Sequence, residues 1–228
     1  MAVSSALQSA ALRLVGYKPT SFYGASGTLE MELCDLANEV AKDVCQYQDW
    51  QRLTKVNSMT GDGSTEVFSF PADYSRQLLN ADMQDLQSWA WGYEHITDIN
   101  DFLYQRQRGM ILTPGAWIIY GGQMHFTPPP TGDASFPYIS KNYAIDSGTL
   151  EMKAQFDADT DEFVLNERLI TLGLVWRWRE MKKLSAEGDE QAFVKALDEY
   201  AAKDAGSKVI RYGGRPLRQL GAWPWVRA

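Results

Sequence analysis

The sequence predicts an α+β protein: an antiparallel α-helical bundle with an inserted small antiparallel β-sheet or sandwich region and an extended C-terminal tail. Three observations predict it. Apolar residues recur at helical spacing toward both ends of the chain, short apolar runs broken by glycine and proline fill the middle, and the last 23 residues shift abruptly in composition. The expected divisions are residues 1–50 for the N-terminal helices, 51–149 for the β region, 150–205 for the long helices that complete the helical domain, and 206–228 for the basic tail.

The first helix is read from Leu7, Ala11, Leu14 and Val15, an amphipathic spacing in a segment without the basic start and apolar stretch of a signal peptide. A second follows from Leu29 to Tyr47, where Leu29, Leu33, Leu36, Val40 and Val44 share one face and acids and Lys42 supply most of the rest. Cys34 and Cys45 are eleven residues apart on it, about 16 Å along the axis, so they cannot bridge and read as small buried hydrophobes. In the middle, Met59 to Ser64 is a turn cluster and Val67 to Phe70 a short strand. Met110 to Leu112 is a further strand run. Ala116 to Tyr120 and Gln123 to Thr127, joined by Gly121-Gly122, form a β-hairpin, and Phe136 to Ile145 is one more strand. Asp98 to Arg108 reads as a brief helix between them. Residues 109–132 carry no formal charge, enough to span a bilayer by length, but Pro114, the glycines and Pro128-Pro129-Pro130 exclude a helix there.

Helical periodicity returns from Asp159, with Asp159 and Glu162 spaced as a capping pair and acids at Asp157 and Asp161 suited to a helix start. Seven of the ten residues from Leu169 to Trp178 are apolar, so this helix needs several neighbours at once, within the chain or from adjacent subunits. Leu172, Gly173, Trp176 and Trp178 are the candidate packing residues; Gly173 costs about 1 kcal/mol against alanine and is explained by a close approach of another element. Glu187 to Asp204 is a second, more polar helix after a break at Gly188.

Charge divides the chain. Lys208, Arg211, Arg215, Arg218 and Arg227 give the tail +5 with no acid. The other 205 residues hold 17 basic and 29 acidic side chains, a net −12, and the whole chain's net −7 argues against nonspecific nucleic-acid binding. Two cysteines exclude a disulfide scaffold and a reducing compartment is expected. No catalytic motif stands out. The Asp157-x-Asp159-x-Asp161 run lacks the glycine and the closing glutamate of a calcium loop, having Glu162 and Arg168 there. His95 and His125 have no nearby cysteine partners, Gly24 to Gly27 lacks the nucleophile-elbow spacing, and Gly61-Asp62-Gly63 has no following lysine. No cofactor and no metal are expected, and the protein reads as a non-enzyme.

Two groups of residues carry a resemblance. One is Gly61-Asp62-Gly63-Ser64-Thr65 followed by Phe68 to Arg76; the other is Asp161 to Arg179, an aromatic and arginine-bearing helix after a β region. Together, and in the order of elements across nearly the whole chain, they resemble the adaptor proteins of tailed bacteriophages, components of the head–tail connector. The resemblance implies a virion protein made in the host cytoplasm. It implies a homo-oligomeric ring of twelve copies beneath the portal protein that extends the DNA channel. DNA would pass without specific binding, no membrane would be involved, and a downstream tail or nozzle protein would dock on the ring. It also implies that the tail reaches the portal, with Arg211, Arg215, Arg218, Trp223 and Trp225 as contacts, since arginine and tryptophan favour anchor roles. The alternative is a carbohydrate-binding β module of a tail or surface protein, in which alternating Trp89, Trp91 and Tyr93 would stack on sugar rings.

Overall fold

A computed structural model describes residues 2–78, 83–85, 93–107 and 115–205 of the chain. It is mixed α+β, with five helices and small, mainly antiparallel sheets among the described residues, arranged in two compact units. Among the described residues, one unit joins the chain up to Thr54 to residues 139–205; the other is built within residues 55–138.

The first unit is helical. It contains α1 (Val3–Val15), α2 (Thr28–Tyr47), α4 (Glu167–Met181) and α5 (Glu187–Ala205). The apolar face read from the sequence for α2 is the face that is buried: Leu33, Leu36, Val40 and Val44. Helix α4 packs against α1, α2 and α5. That is why it buries Leu169, Ile170, Gly173, Leu174 and Val175 around most of its circumference. A side chain at Gly173 would place its first carbon 2.4 Å from Val40 Cγ1 and 3.1 Å from Phe193 Cε2. Glycine thus allows α2 and α5 to close on α4 from two sides.

Two expectations are corrected here. Helix α4 begins at Glu167, with Asn166 as its cap accepting the Arg168 N–H at 2.9 Å, not at Asp159. The Asp159 carboxylate is taken by tertiary donors: the Ser21 hydroxyl at 2.7 Å and the N–H groups of Phe22 at 3.1 Å and Tyr23 at 3.2 Å. The chain also breaks at residues 182–186, and Gly188 lies inside the first turn of α5. Lys183 takes the left-handed conformation (φ 57°) while the Leu184 N–H bonds the Arg179 carbonyl at 2.9 Å, which closes the end of α4.

A three-stranded antiparallel sheet completes this unit. In it β9 (Ala144–Ile145) lies between β10 (Met152–Lys153) and β11 (Glu162–Phe163). The single strand expected from Phe136 to Ile145 is therefore two, β8 (Asp133–Ser140) and β9. The interruption is local: the Asn142 N–H bonds Ser140 Oγ at 3.2 Å and its side chain donates to the Met152 carbonyl at 2.9 Å.

The second unit is two sheets around an aromatic core. In one sheet β8 lies between β1 (Thr54–Thr60) and β3 (Tyr74–Gln77), with β4 (Gln84–Asp85) also pairing β8. The other runs β2 (Val67–Ser69), β7 (Gln123–Thr127), β6 (Gly115–Tyr120), β5 (Tyr93–His95). The β6–β7 hairpin turns through Gly121 (φ 60°) and Gly122 (φ 75°), a two-residue turn open to glycine. The expected all-antiparallel arrangement needs one correction: β5 and β6 pair in parallel, Tyr93 opposite Gly115 and His95 opposite Trp117. The connection between them carries α3 (Ile99–Gln107), the long crossover that a parallel pair requires. Met59, Phe136 and Tyr138 from one sheet meet Tyr93, Trp117, Met124 and Phe126 from the other in one buried cluster. On the outer face of β6, Phe102 of α3 covers Ala116 and Ile118. The strand expected at Met110 to Leu112 lies outside the described residues.

Candidate functional site

The side chains of the Gly61–Thr65 and Phe68–Arg76 stretches fasten strands together. Asp62 folds its own turn: Oδ1 accepts the N–H groups of Ser64 at 2.8 Å and Thr65 at 2.6 Å, and Oδ2 accepts the Thr65 hydroxyl at 2.9 Å. The two backbone bonds from Thr65 and Ser64 hold its carboxyl far below the usual carboxylate range. Asp73 joins three strands' worth of chain, accepting from Lys55 Nζ of β1 at 2.6 Å and from the Tyr138 hydroxyl of β8 at 2.8 Å, just before β3 begins. Burial, then the bond to Asp73, pushes the Tyr138 phenol up to about 12. Phe70 stacks on Tyr74 with ring centroids 4.0 Å apart.

The aromatic and arginine-bearing end of α4 is a ladder of pairs. Trp176 stacks on Phe193 of α5 at 5.4 Å, and the Arg177 guanidinium lies 4.4 Å over the Trp176 ring while reaching Asp43 of α2 at 2.7 Å. Trp178 donates its indole N–H to Glu32 of α2 at 3.0 Å, and Lys182 bonds the other Glu32 oxygen at 2.6 Å. The Lys182 hydrogen bond lowers the pKa of Glu32. Arg179 pairs with Asp189 of α5 at 2.5 Å. Of the four packing residues read from the sequence, Gly173, Trp176 and Trp178 meet α2 and α5 of the same chain, and Leu172 is half-buried.

Sequence reading missed the polar clamps. Asn38, inside α2, accepts the Phe156 N–H (2.8 Å) and the Tyr143 hydroxyl (2.8 Å) at Oδ1, and donates to the Phe156 carbonyl at 3.2 Å. It pairs with a loop backbone as a neighbouring strand would. Asp161, 1% exposed, accepts from Lys153 at 2.8 Å and from the N–H groups of Asp157 and Ala158. Lys153 also pairs with Asp157. Nothing local marked Asn38, which sits in α2 beside Asp35, Glu39 and Lys42, or Phe156 as its partner.

Other expected positions separate. Tyr93 is buried against Phe126, its ring edge-on at 5.3 Å, so it cannot present a face to a sugar; Trp89 and Trp91 lie outside the described residues. The tail residues Arg211, Arg215, Arg218, Trp223 and Trp225 also lie outside them. Cys34 and Cys45 form no disulfide and are half-buried rather than buried. His95 packs on Trp117 at 4.5 Å and His125 stacks on Tyr120 at 3.6 Å. Among the described residues no group of histidine, cysteine or acidic side chains could hold a metal ion, and no helix is long and apolar enough to cross a membrane. What these arrangements do chemically is hold surfaces, by ion pairs, ring stacks and backbone clamps.

A family model described as SU10 adaptor protein matches residues 1–219. The chain belongs to the SU10 adaptor protein family. This is a family of phage head–tail adaptors, and the match takes in both stretches that carry the resemblance, all of the adaptor's described residues from Ala2 on, and the first part of the tail. A comparison with curated proteins gave no match.

Proposed function

We propose that this adaptor is a non-enzymatic structural protein of the virion neck, which forms a ring of twelve copies beneath the portal, extends the DNA channel and docks the next tail component. The observation that carries the reading is the family match over residues 1–219. The fold is read as an antiparallel helical bundle, residues 1–50 with 150–205, into which the β region 51–149 is inserted; the packing of α4 against α2 and α5, both running opposite to it, supports that reading, while α1 runs parallel to α4. The tail, residues 206–228, reaches the portal through Arg211, Arg215, Arg218, Trp223 and Trp225. Its +5 charge and its two tryptophans around Pro224 suit a segment that orders on a partner.

The net −12 of the remaining chain suits a conduit. An acidic wall repels a passing duplex, whereas a basic one would bind its phosphates and hinder exit. The experiment is a truncation. Full-length adaptor should co-purify with portal protein from the same virion, and a chain ending at Ala205 should keep its circular dichroism spectrum while losing that association. Portal association unchanged by the truncation contradicts the role of the tail.

A further inference from the structure

Two surfaces of the helical unit match each other in chemistry and height. Helices α1 and α4 start together: Ala2 bridges Glu162, the Val3 N–H bonds the Asp161 carbonyl at 2.6 Å, and the Thr171 hydroxyl of α4 reaches the Ala6 carbonyl at 3.4 Å. With 13 and 15 residues and packed along each other, they also end together. Helix α5 begins just after α4 ends, with Arg179 paired to Asp189 across that corner. The end of α1 and the start of α5 therefore stand at the same level. They stand on different sides, because each packs on α4 without comparable packing on the other.

The end of α1 is apolar and basic. Leu12, Val15 and Tyr17 are each 40% to 50% exposed, and Arg13 and Lys18 stand beside them without an ion pair among the described residues. The start of α5 is apolar and acidic. Leu184 and Val194 are 54% and 43% exposed, and Glu187 and Glu190, also exposed, have no ion pair there either. Glu187, Glu190 and Val194 follow one another at helical spacing along one face of α5.

We propose that these surfaces are the two halves of one interface between copies of this chain, the end of α1 in one copy lying on the start of α5 in the next. Charge complementarity selects the occupant: a second copy brings carboxylates to Arg13 and Lys18 and apolar side chains to Leu12, Val15 and Tyr17. The chain's own tail, at +5, is repelled from that patch. Because the two halves are different surfaces on different sides, the contact is heterologous, and such contacts close into rings when the rotation permits. This interface rests on the ring reading above and specifies where its subunits meet.

The test mixes isotopically labelled and unlabelled full-length adaptor, with and without portal protein, and joins lysines to carboxylates with a zero-length carbodiimide crosslinker. Mass spectrometry should find Lys18 of one copy linked to Glu187 or Glu190 of another. In parallel, the double variants Arg13→Glu/Lys18→Glu and Glu187→Lys/Glu190→Lys should each weaken self-association on the order of tenfold, and mixing the two variants should restore it. All four positions are exposed, and circular dichroism checks that each variant is folded. Assembly that proceeds through other crosslinks, or links from Lys208 to those glutamates, overturns the interface and leaves the ring standing. No assembly under either condition overturns both.

Discussion

In the helical unit, side chains reach far along the sequence to fasten loops to helices: Asn38 holds Phe156, 118 residues away, and Asp159 holds Phe22, 137 residues away. The β unit has polar fasteners too, as at Asp73, but the space between its sheets is filled by rings. Phe68, Tyr93, Trp117 and Phe126 of one sheet pack edge-on or stacked on each other and share a buried cluster with Phe136 and Tyr138 of the other. The contrast follows from what each unit has to bury. Sheets satisfy their backbone groups by pairing and need only an apolar filling. The helical unit takes in irregular stretches such as 154–161, where the N–H groups of Phe156, Asp157 and Ala158 find side-chain acceptors instead of a strand partner.

The comparison can be broken from either side, and the largest effects come from removing one fastener of each kind. Phe126→Ala should cost about 3–5 kcal/mol, with hydrogen-exchange protection lost within residues 55–138. Asp161→Ala should cost about 2–3 kcal/mol, since it leaves two N–H groups without their acceptor and removes the buried partner of Lys153, which keeps Asp157 and Asp146, with protection lost around residues 153–161 and the start of α1. Protection lost equally throughout both units by either variant would show that they are not separately held.

Next in size is Asn38→Leu, which keeps the helix but leaves both backbone groups of Phe156 without their partner. A loss of about 2 kcal/mol in denaturant unfolding is expected, where a purely apolar account of α2 predicts a gain. Gly173→Ala sharpens the point about α4. Alanine favours helices by about 1 kcal/mol, yet here its methyl would meet Val40 at 2.4 Å, so the variant should be less stable by about 1–2 kcal/mol in the same assay. Tyr138 is tested by titration, which leaves stability at neutral pH untouched. Its phenol titrates at about 12 in the fold against about 10 in an unfolded chain, so the neutral form is favoured on folding. That contribution is complete below pH 10 and is lost as the pH rises through 12. Phenolate absorbance in wild type and Tyr138→Phe should differ by one late-titrating group.

Much of the helical framework was legible from periodicity, because α1, α2 and α5 are amphipathic and the apolar excess of α4 follows from its three neighbours. The Gly121-Gly122 hairpin and α3 were legible from local chemistry. What was not legible depended on distant partners. Asp159 and Glu162 have the spacing of a helix cap, but Ser21, Phe22 and Tyr23 claim Asp159. Strands of two residues carry no alternation to read, and nothing within Tyr93–His95 announces a parallel neighbour. The interaction residues of α4 could be picked out by composition, whereas Asn38 and Asp73 were visible only once the loops they hold were in place.

The central claim is that this chain works by assembly, and its most direct test is the mass of the assembled particle. Native mass spectrometry of purified adaptor mixed with portal protein from the same virion should give a complex carrying one adaptor per portal subunit, twelve on a twelve-fold portal. Adaptor that stays monomeric beside an unoccupied portal would contradict the account.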